Sequence, residues 1–398
     1  MATTRTVAVF VGTRADLGPL TPVIEALADA PDVDLHLLTG VMYGADDLDR
    51  ALPGVSASGA VVHGLAEPMS VVSVEAQLEH GARLSVAVGG ALEEIGAEVL
   101  VVLGDRWELL YVVPPAVLLG VPIVHLHGGE VTEGAVDERV RHAVTKLADE
   151  HCVASPDAAR RLRQLGEPRE RIHVTGAPGL DRLAAAPALG DDALAGLLGI
   201  DRVERPVALF TYHPPTAQTG APVGDWAREA AEATLAVCGT VIATHPGMDE
   251  GRDDIVAALS ALAAAEPRLR LVTALGRDYP AVLNAVDVVV GNSSSGVIEA
   301  ATLHKPAVDV GDRQRGRLRG DNVIHAEEGR AAVEEAVRLA LSPEGRARAV
   351  ATANPYGTGD ASRRILDIVR SAGSSGRVKR FSDVDGTMVG ELDEEVRQ

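Results

Sequence analysis

The chain reads as an α/β protein built from two successive doubly wound domains, and three observations predict this. Short apolar runs alternate with helical patterns along almost the whole length. The runs are continuous rather than alternating in polarity, which is what a parallel sheet covered on both faces requires. The rhythm also pauses once, over the polar, alanine-rich stretch Leu183–Gly199, and then restarts. At 398 residues and 46% apolar content, the chain exceeds one ordinary domain and has material for two cores.

In the first domain, residues 1–182, the runs Val7–Val11, Leu35–Leu38, Val99–Leu103, Pro122–Leu126, His151–Ala154 and Ile172–Thr175 are read as buried strands. Thr21–Asp29, Val74–Ile95 and Trp107–Leu119 are read as helices between them. From Ala135 another helix begins, because Val136, Val140, Ala143, Val144 and Leu147 recur three and four apart. The second domain, residues 200–360, repeats the plan with Val207–Phe210, Val241–Ala243, Leu271–Val272, Val288–Val290 and Ala307–Val310. The segment 361–371 is read as a helix crossing back to the first domain, and 372–398 as a flexible tail. That tail carries Asp383-Val-Asp-Gly-Thr387, which looks like the first motif of haloacid-dehalogenase phosphatases. Only eleven residues follow it, so no phosphatase domain is expected there.

Composition narrows the function. A net charge of −20 and 3% aromatic residues oppose a nucleic-acid reader, which needs a basic face and stacking platforms. No apolar run reaches membrane-spanning length. Cys152 and Cys238 are isolated thiols without metal spacing. The opening residues lack a signal-peptide core. A soluble, cytoplasmic protein is expected, with no membrane or nucleic-acid partner.

The chemistry concentrates at strand ends, where open α/β sheets place their ligands. His127-Gly-Gly-Glu130 follows one strand, and Asp137-Glu138-x-x-Arg141-His142 opens the next helix. On that helix Asp137 and Arg141 lie one turn apart, as do Glu138 and His142. This dense set suggests proton transfer beside an anion; a solvated, dipole-favoured first turn is the plainer alternative. Asp105, in Gly104-Asp-Arg106, either faces the same cleft as Glu130 or caps the helix after it. The turn Gly291-Asn-Ser-Ser-Ser295-Gly296, with Glu299 three residues further on, suits phosphate at a helix start and ribose hydroxyls at the carboxylate. Simple capping by the serines is the alternative. In Gly311-Asp-Arg313-Gln-Arg-Gly-Arg317-Leu-Arg319, Arg313 is nearest the strand end and is the preferred diphosphate ligand. Arg14, in Gly12-Thr-Arg14-Ala-Asp16, lies on a loop without dinucleotide glycine spacing and is read as reaching phosphate across the cleft. His213 and His245, each followed by proline at comparable strand ends, are read as ligands rather than structural residues. The cleft between the domains is the expected ligand site.

Jointly these motifs, with Gly176-Ala-Pro-Gly-Leu-Asp181 and Tyr212-His-Pro214, resemble the UDP-N-acetylglucosamine 2-epimerase family over about residues 5–370. The Gly-Gly-Glu and Asp-Glu-x-x-Arg-His runs resemble its hydrolysing branch. The non-hydrolysing branch carries an alanine-glycine-leucine-arginine run and a Pro-Glu-Glu motif that this chain lacks. The resemblance implies two Rossmann-like domains in a glycosyltransferase-B arrangement, a UDP-sugar substrate, no cofactor, no metal, and a homodimer or homotetramer. It implies Asp105, Glu130, Asp137 and Arg141 as the catalytic group. It also implies Arg14, His213, Ser294, Ser295, Glu299 and Arg313 as UDP ligands, beside His245 and Gly296 from the loop reading. The alternatives are a related substrate, such as UDP-diacetylbacillosamine, and a glycosyltransferase of the same architecture.

Overall fold

The structure, a computed structural model, describes residues 4–383 apart from 53, 56, 57, 71, 72, 134, 135, 185, 216–219, 248, 375 and 377. It forms two compact units: residues 1–130, 137–181 and 356–398 in the first, 131–136 and 182–355 in the second. The described residues just after Glu130, Val131–Glu133, thus group with the second unit. The stretch read as a separator, 183–199, is also built into that unit. It holds the helix Asp191–Leu198, whose Leu194 and Leu198 are buried. Asn284 there donates to the Ala186 carbonyl (2.9 Å), and Arg205 pairs with Asp191 (2.6 Å).

In the first unit seven parallel strands form one sheet: β1 (Arg5–Phe10), β2 (Val33–Thr39), β3 (Val61–Gly64), β4 (Val99–Leu103), β5 (Ile123–Leu126), β6 (Glu150–Val153) and β7 (Ile172–Val174). Their order is β3-β2-β1-β4-β5-β6-β7. The second unit holds β8 (Val207–Thr211), β9 (Thr240–Thr244), β10 (Leu269–Val272), β11 (Val288–Gly291), β12 (Ala307–Val310) and β13 (Val323–Ala326). They run β10-β9-β8-β11-β12-β13, again parallel throughout. Both sheets reverse strand order once, between β1 and β4 and between β8 and β11. The carboxyl ends of those strands are the crevices where such sheets bind ligands.

The central strands are β-branched and buried on both faces, so each sheet separates two apolar layers. In the first unit Val7, Val9 and Val101 face Leu20, Ile24 and Leu27, while Ala8, Leu100 and Val102 face Leu84, Val88, Val112 and Val113. The helix Ala361–Ser371 completes the first layer with Ile365 and Val369, packing beside the helix Arg14–Ala28. Fully burying a side chain of this size is worth about 1.5–3 kcal/mol, so this returning helix is part of the first core rather than an appendage.

The tail, expected to be flexible, instead contacts the first unit through Lys379, Phe381 and Ser382. Lys379 Nζ donates to the carbonyls of Thr145 (3.1 Å), Lys146 (3.0 Å) and Ala148 (2.6 Å) and pairs with Glu167 (2.7 Å). The Ser382 N–H donates to the Gly166 carbonyl (2.9 Å), and Lys146 lies over the Phe381 ring. The cause is electrostatic. The Glu167 carboxylate has no exposed surface, and a buried charge requires partners. It recruits His151 (2.9 Å) and two of the three lysines in the chain, Lys146 (2.6 Å) and Lys379. Of the phosphatase-like motif only Asp383 lies among the described residues.

Candidate active site

In the first unit the turns after β1, β4 and β5 carry the polar residues. Asp105 leaves β4 one residue after Gly104 and does not cap the following helix, whose N-cap is Glu108. Its carboxylate accepts from Arg141. Arg141, 1% exposed, also donates to the Glu130 carbonyl (2.7 Å) and to Glu138 Oε2 (2.8 Å). One guanidinium therefore ties the β4 turn, the glycine turn and the start of the helix Asp137–Leu147 together. Burial works against its charge, but Asp105, Glu130 and Glu138 outweigh burial and hold the guanidinium above its ordinary range. Glu138 bridges Arg141 and His142 (3.1 Å), the latter the one-turn pair read from the sequence. Asp137 is the first residue of the same helix and half-buried.

The glycine turn is unusually constrained. His127 adopts a left-handed φ of 62°, a conformation that costs a residue with a Cβ about 1–3 kcal/mol and clusters at functional sites. Its Nδ1 bonds the Glu130 carboxylate, which is 4% exposed. At Gly129, φ 76°, an added Cβ would meet Leu162 Cδ1 at 2.3 Å and the Ala158 carbonyl oxygen at 2.5 Å, so only glycine fits.

After β1, Arg14 opens the helix Arg14–Ala28. Asp16 accepts from the N–H groups of Gly12 (3.0 Å) and Thr13 (2.7 Å). Burial, then Glu108, pushes the Asp16 carboxyl up to about 7, against the opposing pull of Arg106 and the two N–H donors. Glu108 is itself buried and bonded to Arg106 Nε (3.2 Å). This second carboxyl pair was not singled out from the sequence, although Asp16 stands in a quoted motif.

In the second unit, His213 follows β8 and His245 follows β9. The Gly247 N–H donates to His213 Nδ1 (2.9 Å), which leaves the ring proton on Nε2. Asn292 clamps the His213 backbone in both directions, accepting from its N–H (2.6 Å) and donating to its carbonyl (2.8 Å). Arg313 (3.1 Å) and Gln314 (2.9 Å) both donate to the Asn292 carbonyl, joining the turns after β8, β11 and β12. The turn after β11 pivots on Gly291, φ 129°, where a Cβ would lie 2.0 Å from the Thr211 carbonyl oxygen.

The helix expected beyond that turn is short. Ser294, Ser295 and Gly296 lie in a helix that spans only Ser294–Ile298, with Ser293 as its cap. Glu299 ends it instead of sitting inside it, and a tighter turn over Ala300–Leu303 follows. Tyr279 O–H donates to the Glu299 Oε2 (2.6 Å). Burial and Glu299 together hold that phenol protonated. Among the loop arginines, Arg319 pairs with Asp309 (3.1 Å), Arg315 approaches Glu133 and Asp312, and Arg317 donates to Thr132 (3.1 Å). Arg315 and Arg319 thus have neighbouring acids as partners.

Comparison with known proteins meets this geometry from outside. The family model described as UDP-N-acetylglucosamine 2-epimerase matches residues 69–370. This chain belongs to the UDP-N-acetylglucosamine 2-epimerase family. The chain is 31% identical to UDP-N,N'-diacetylbacillosamine 2-epimerase (hydrolyzing) of Legionella pneumophila, over 92% of its own length and 96% of the relative's. It is 28% identical to UDP-N-acetylglucosamine 2-epimerase of Neisseria meningitidis, over 94% and 98%. Among solved structures, a Neisseria meningitidis UDP-GlcNAc 2-epimerase bound to UDP-GlcNAc shares the fold with a TM-score of 0.74 at 16% identity, covering 92% of this chain and all of that one. Among the described residues no helix is long and apolar enough to cross a membrane.

Proposed function

We propose that the protein is a hydrolysing 2-epimerase of a UDP-2-acetamido sugar, converting UDP-GlcNAc and water to N-acetylmannosamine and UDP. The observation that carries this reading is the Arg141 cluster, in which one buried guanidinium holds Asp105 and Glu138 and the backbone of Glu130.

The chemistry follows from the substrate. The C2–H is not adjacent to a carbonyl and becomes acidic only as C1 turns oxocarbenium-like. Departure of UDP with the C1–O electron pair therefore leads, and a carboxylate takes the C2 proton as the C1–C2 double bond forms. The product is 2-acetamidoglucal. Water then adds its oxygen to C1 while a proton returns to the opposite face of C2. Proton work on two faces needs more than one carboxylate, and Asp105, Glu130 and Asp137 supply the set. Arg141 keeps its partners oriented and ionised. In the second unit His213 through its Nε2–H, Ser294, Ser295, Gly296 and Arg313 are the expected diphosphate ligands, with His245 assisting and Glu299 on ribose hydroxyls, while Arg14, a first-unit residue, keeps the phosphate role that the resemblance implies. No cofactor enters this scheme.

The hydrolysing relative at 31% identity supports a second substrate, the UDP-diacetylated 2,4-diamino sugar. The test is incubation with each sugar nucleotide in D2O, without acceptor, followed by NMR. Free manno-configured sugar deuterated at C2, plus UDP, is the expected result, and the preferred substrate chooses between the readings. A UDP-linked epimer would remove the hydrolytic step, and unlabelled product would remove the elimination.

A further inference from the structure

His125 is the fourth residue of the apolar run Pro122–Leu126 and looks in sequence like strand filler, yet it sits where three parts of the site meet. It lies on β5 with no exposed surface. Its Nε2 lies 2.7 Å from the Gly104 carbonyl, the peptide immediately before Asp105. A carbonyl only accepts, so Nε2 carries the proton and Nδ1 is left as an acceptor. Thr145 Oγ1, also fully buried, lies 3.3 Å from that Nδ1 and donates to it.

Thr145 stands one helical turn beyond Arg141 on the helix Asp137–Leu147, on the same face. Arg141 in turn holds Asp105. The contacts close into a ring: the His125 ring to Gly104, Gly104 to Asp105, Asp105 to Arg141, Arg141 along its helix to Thr145, and Thr145 back to His125. The glycine turn presses on the same point. A Cβ at Gly128 would lie 3.1 Å from both His125 Nδ1 and Thr145 Oγ1, so the backbone leading to Glu130 packs directly on this pair.

We propose that His125 is a positioning residue for the epimerase reaction, its neutral ring fixing the Gly104–Asp105 turn against the arginine-bearing helix so that Asp105 stays aligned with Arg141. The ring is suited to this because it does not titrate in the working range. Burial pushes its pKa down to about 3, opposed by the bond to Gly104; Asp105 and Arg141 are the charged neighbours, His151 is a buried imidazole whose own pKa is lowered, and none of them reverses that. A protonated ring would instead offer two donors and turn the Thr145 hydroxyl from donor to acceptor.

This inference rests on the assignment of Asp105 to the reaction, and the experiment separates the two. His125→Leu keeps volume but removes the donor, while His125→Gln keeps an amide N–H near the Nε2 position. His125→Leu is expected to lower kcat about 100-fold, the scale of a misplacement near 1 Å, with KM and UDP affinity unchanged within about twofold on that reading. His125→Gln should recover at least about tenfold of the loss. Equal activity of the Leu and Gln variants at equal folded fraction, or a Leu variant as fast as the native enzyme, would overturn the proposal. Thr145→Val serves should the Leu variant fail to fold; an unchanged kcat there would count equally against the ring. Nitrogen-15 NMR of the native protein provides an arm independent of turnover. The His125 signals should show the Nε2–H form and stay fixed from about pH 5 to 9, as expected for a buried neutral imidazole; a titrating ring would sink the inference. A native enzyme inactive on both sugar nucleotides would refute the functional reading while the NMR arm still judged His125.

Discussion

Replacing Arg141 with methionine tests the centre of the site most directly. Methionine fills much of the same volume, so the change removes the charge and its hydrogen bonds with little cavity. Three groups lose a partner at once: the Asp105 carboxylate, Glu138 Oε2 and the Glu130 carbonyl. Breaking one side of a buried ion pair costs about 3–5 kcal/mol. Asp105 and Glu138 keep 22% and 23% of their side-chain surface exposed, so water relieves them partly and the lower end applies. The stranded carbonyl adds roughly 1 kcal/mol or more, giving about 4 kcal/mol in all. Against a total of about 5–15 kcal/mol for an ordinary fold, this is a large fraction. Urea unfolding followed by circular dichroism should therefore show a markedly lower midpoint. UDP release from the sugar nucleotide should fall about 10²–10³-fold, as when a preorganised charge is removed. Adding Glu138→Leu removes one of the two carboxylates that lose the arginine and should restore part of the stability while leaving turnover low. A methionine variant within about 1 kcal/mol of the native protein, against the cost of a broken buried pair, would refute the reasoning.

Asp16→Asn should flatten the pH dependence of stability. The native carboxyl sits at about 7, against about 3.9 in the unfolded chain, so the fold holds the extra proton between those values. Its contribution is complete below the unfolded value and declines as pH rises towards 7, by something on the order of 4 kcal/mol. Urea midpoints at pH 4.5 and 7.5 should thus converge in the variant, and an unchanged slope would contradict the burial argument. Gly129→Ala drives a Cβ into Leu162 and the Ala158 carbonyl and should abolish turnover with loss of soluble yield; a well-folded, active variant would show that the turn can move. Lys379→Met leaves Glu167 one partner short and should cost about 1–3 kcal/mol. A scanning-calorimetry melt should register that as a fall of several degrees, and an unshifted melt would mean the tail docking adds no stability.

Much of the fold was legible because its central strands are buried on both faces. Val99–Leu103 matches β4 at both ends, since an unbroken β-branched run between turn residues has few other uses. The edge strands β3 and β13 escaped, being four-residue segments, each with a histidine and partial exposure, that present no apolar run. The helix Arg14–Ala28 begins seven residues before the sequence reading placed it, because Pro19 inside it resembles a break. In the site, Asp105 and Glu130 stood out as acids at strand ends. The pairing of Arg141 was harder: spacing alone pointed to Asp137, whereas Glu138 and Asp105 are the partners its contacts name. Asp105 is 36 residues away, and no local period encodes a tertiary partner. His125 was invisible for a related reason, since its chemistry depends on a carbonyl brought to it by the neighbouring strand.

The helix Ala361–Ser371 covers Leu20, Ile24 and Leu27, so the first unit is closed by residues translated more than 300 positions after it begins. On the ribosome the second unit can emerge whole and fold while that apolar groove is still bare. The usual vectorial order, amino-terminal domain first, is thereby inverted for completion of the core. A nascent chain stalled at residue 340 would carry a finished sheet with an open flank, a natural target for chaperones that bind exposed apolar surface.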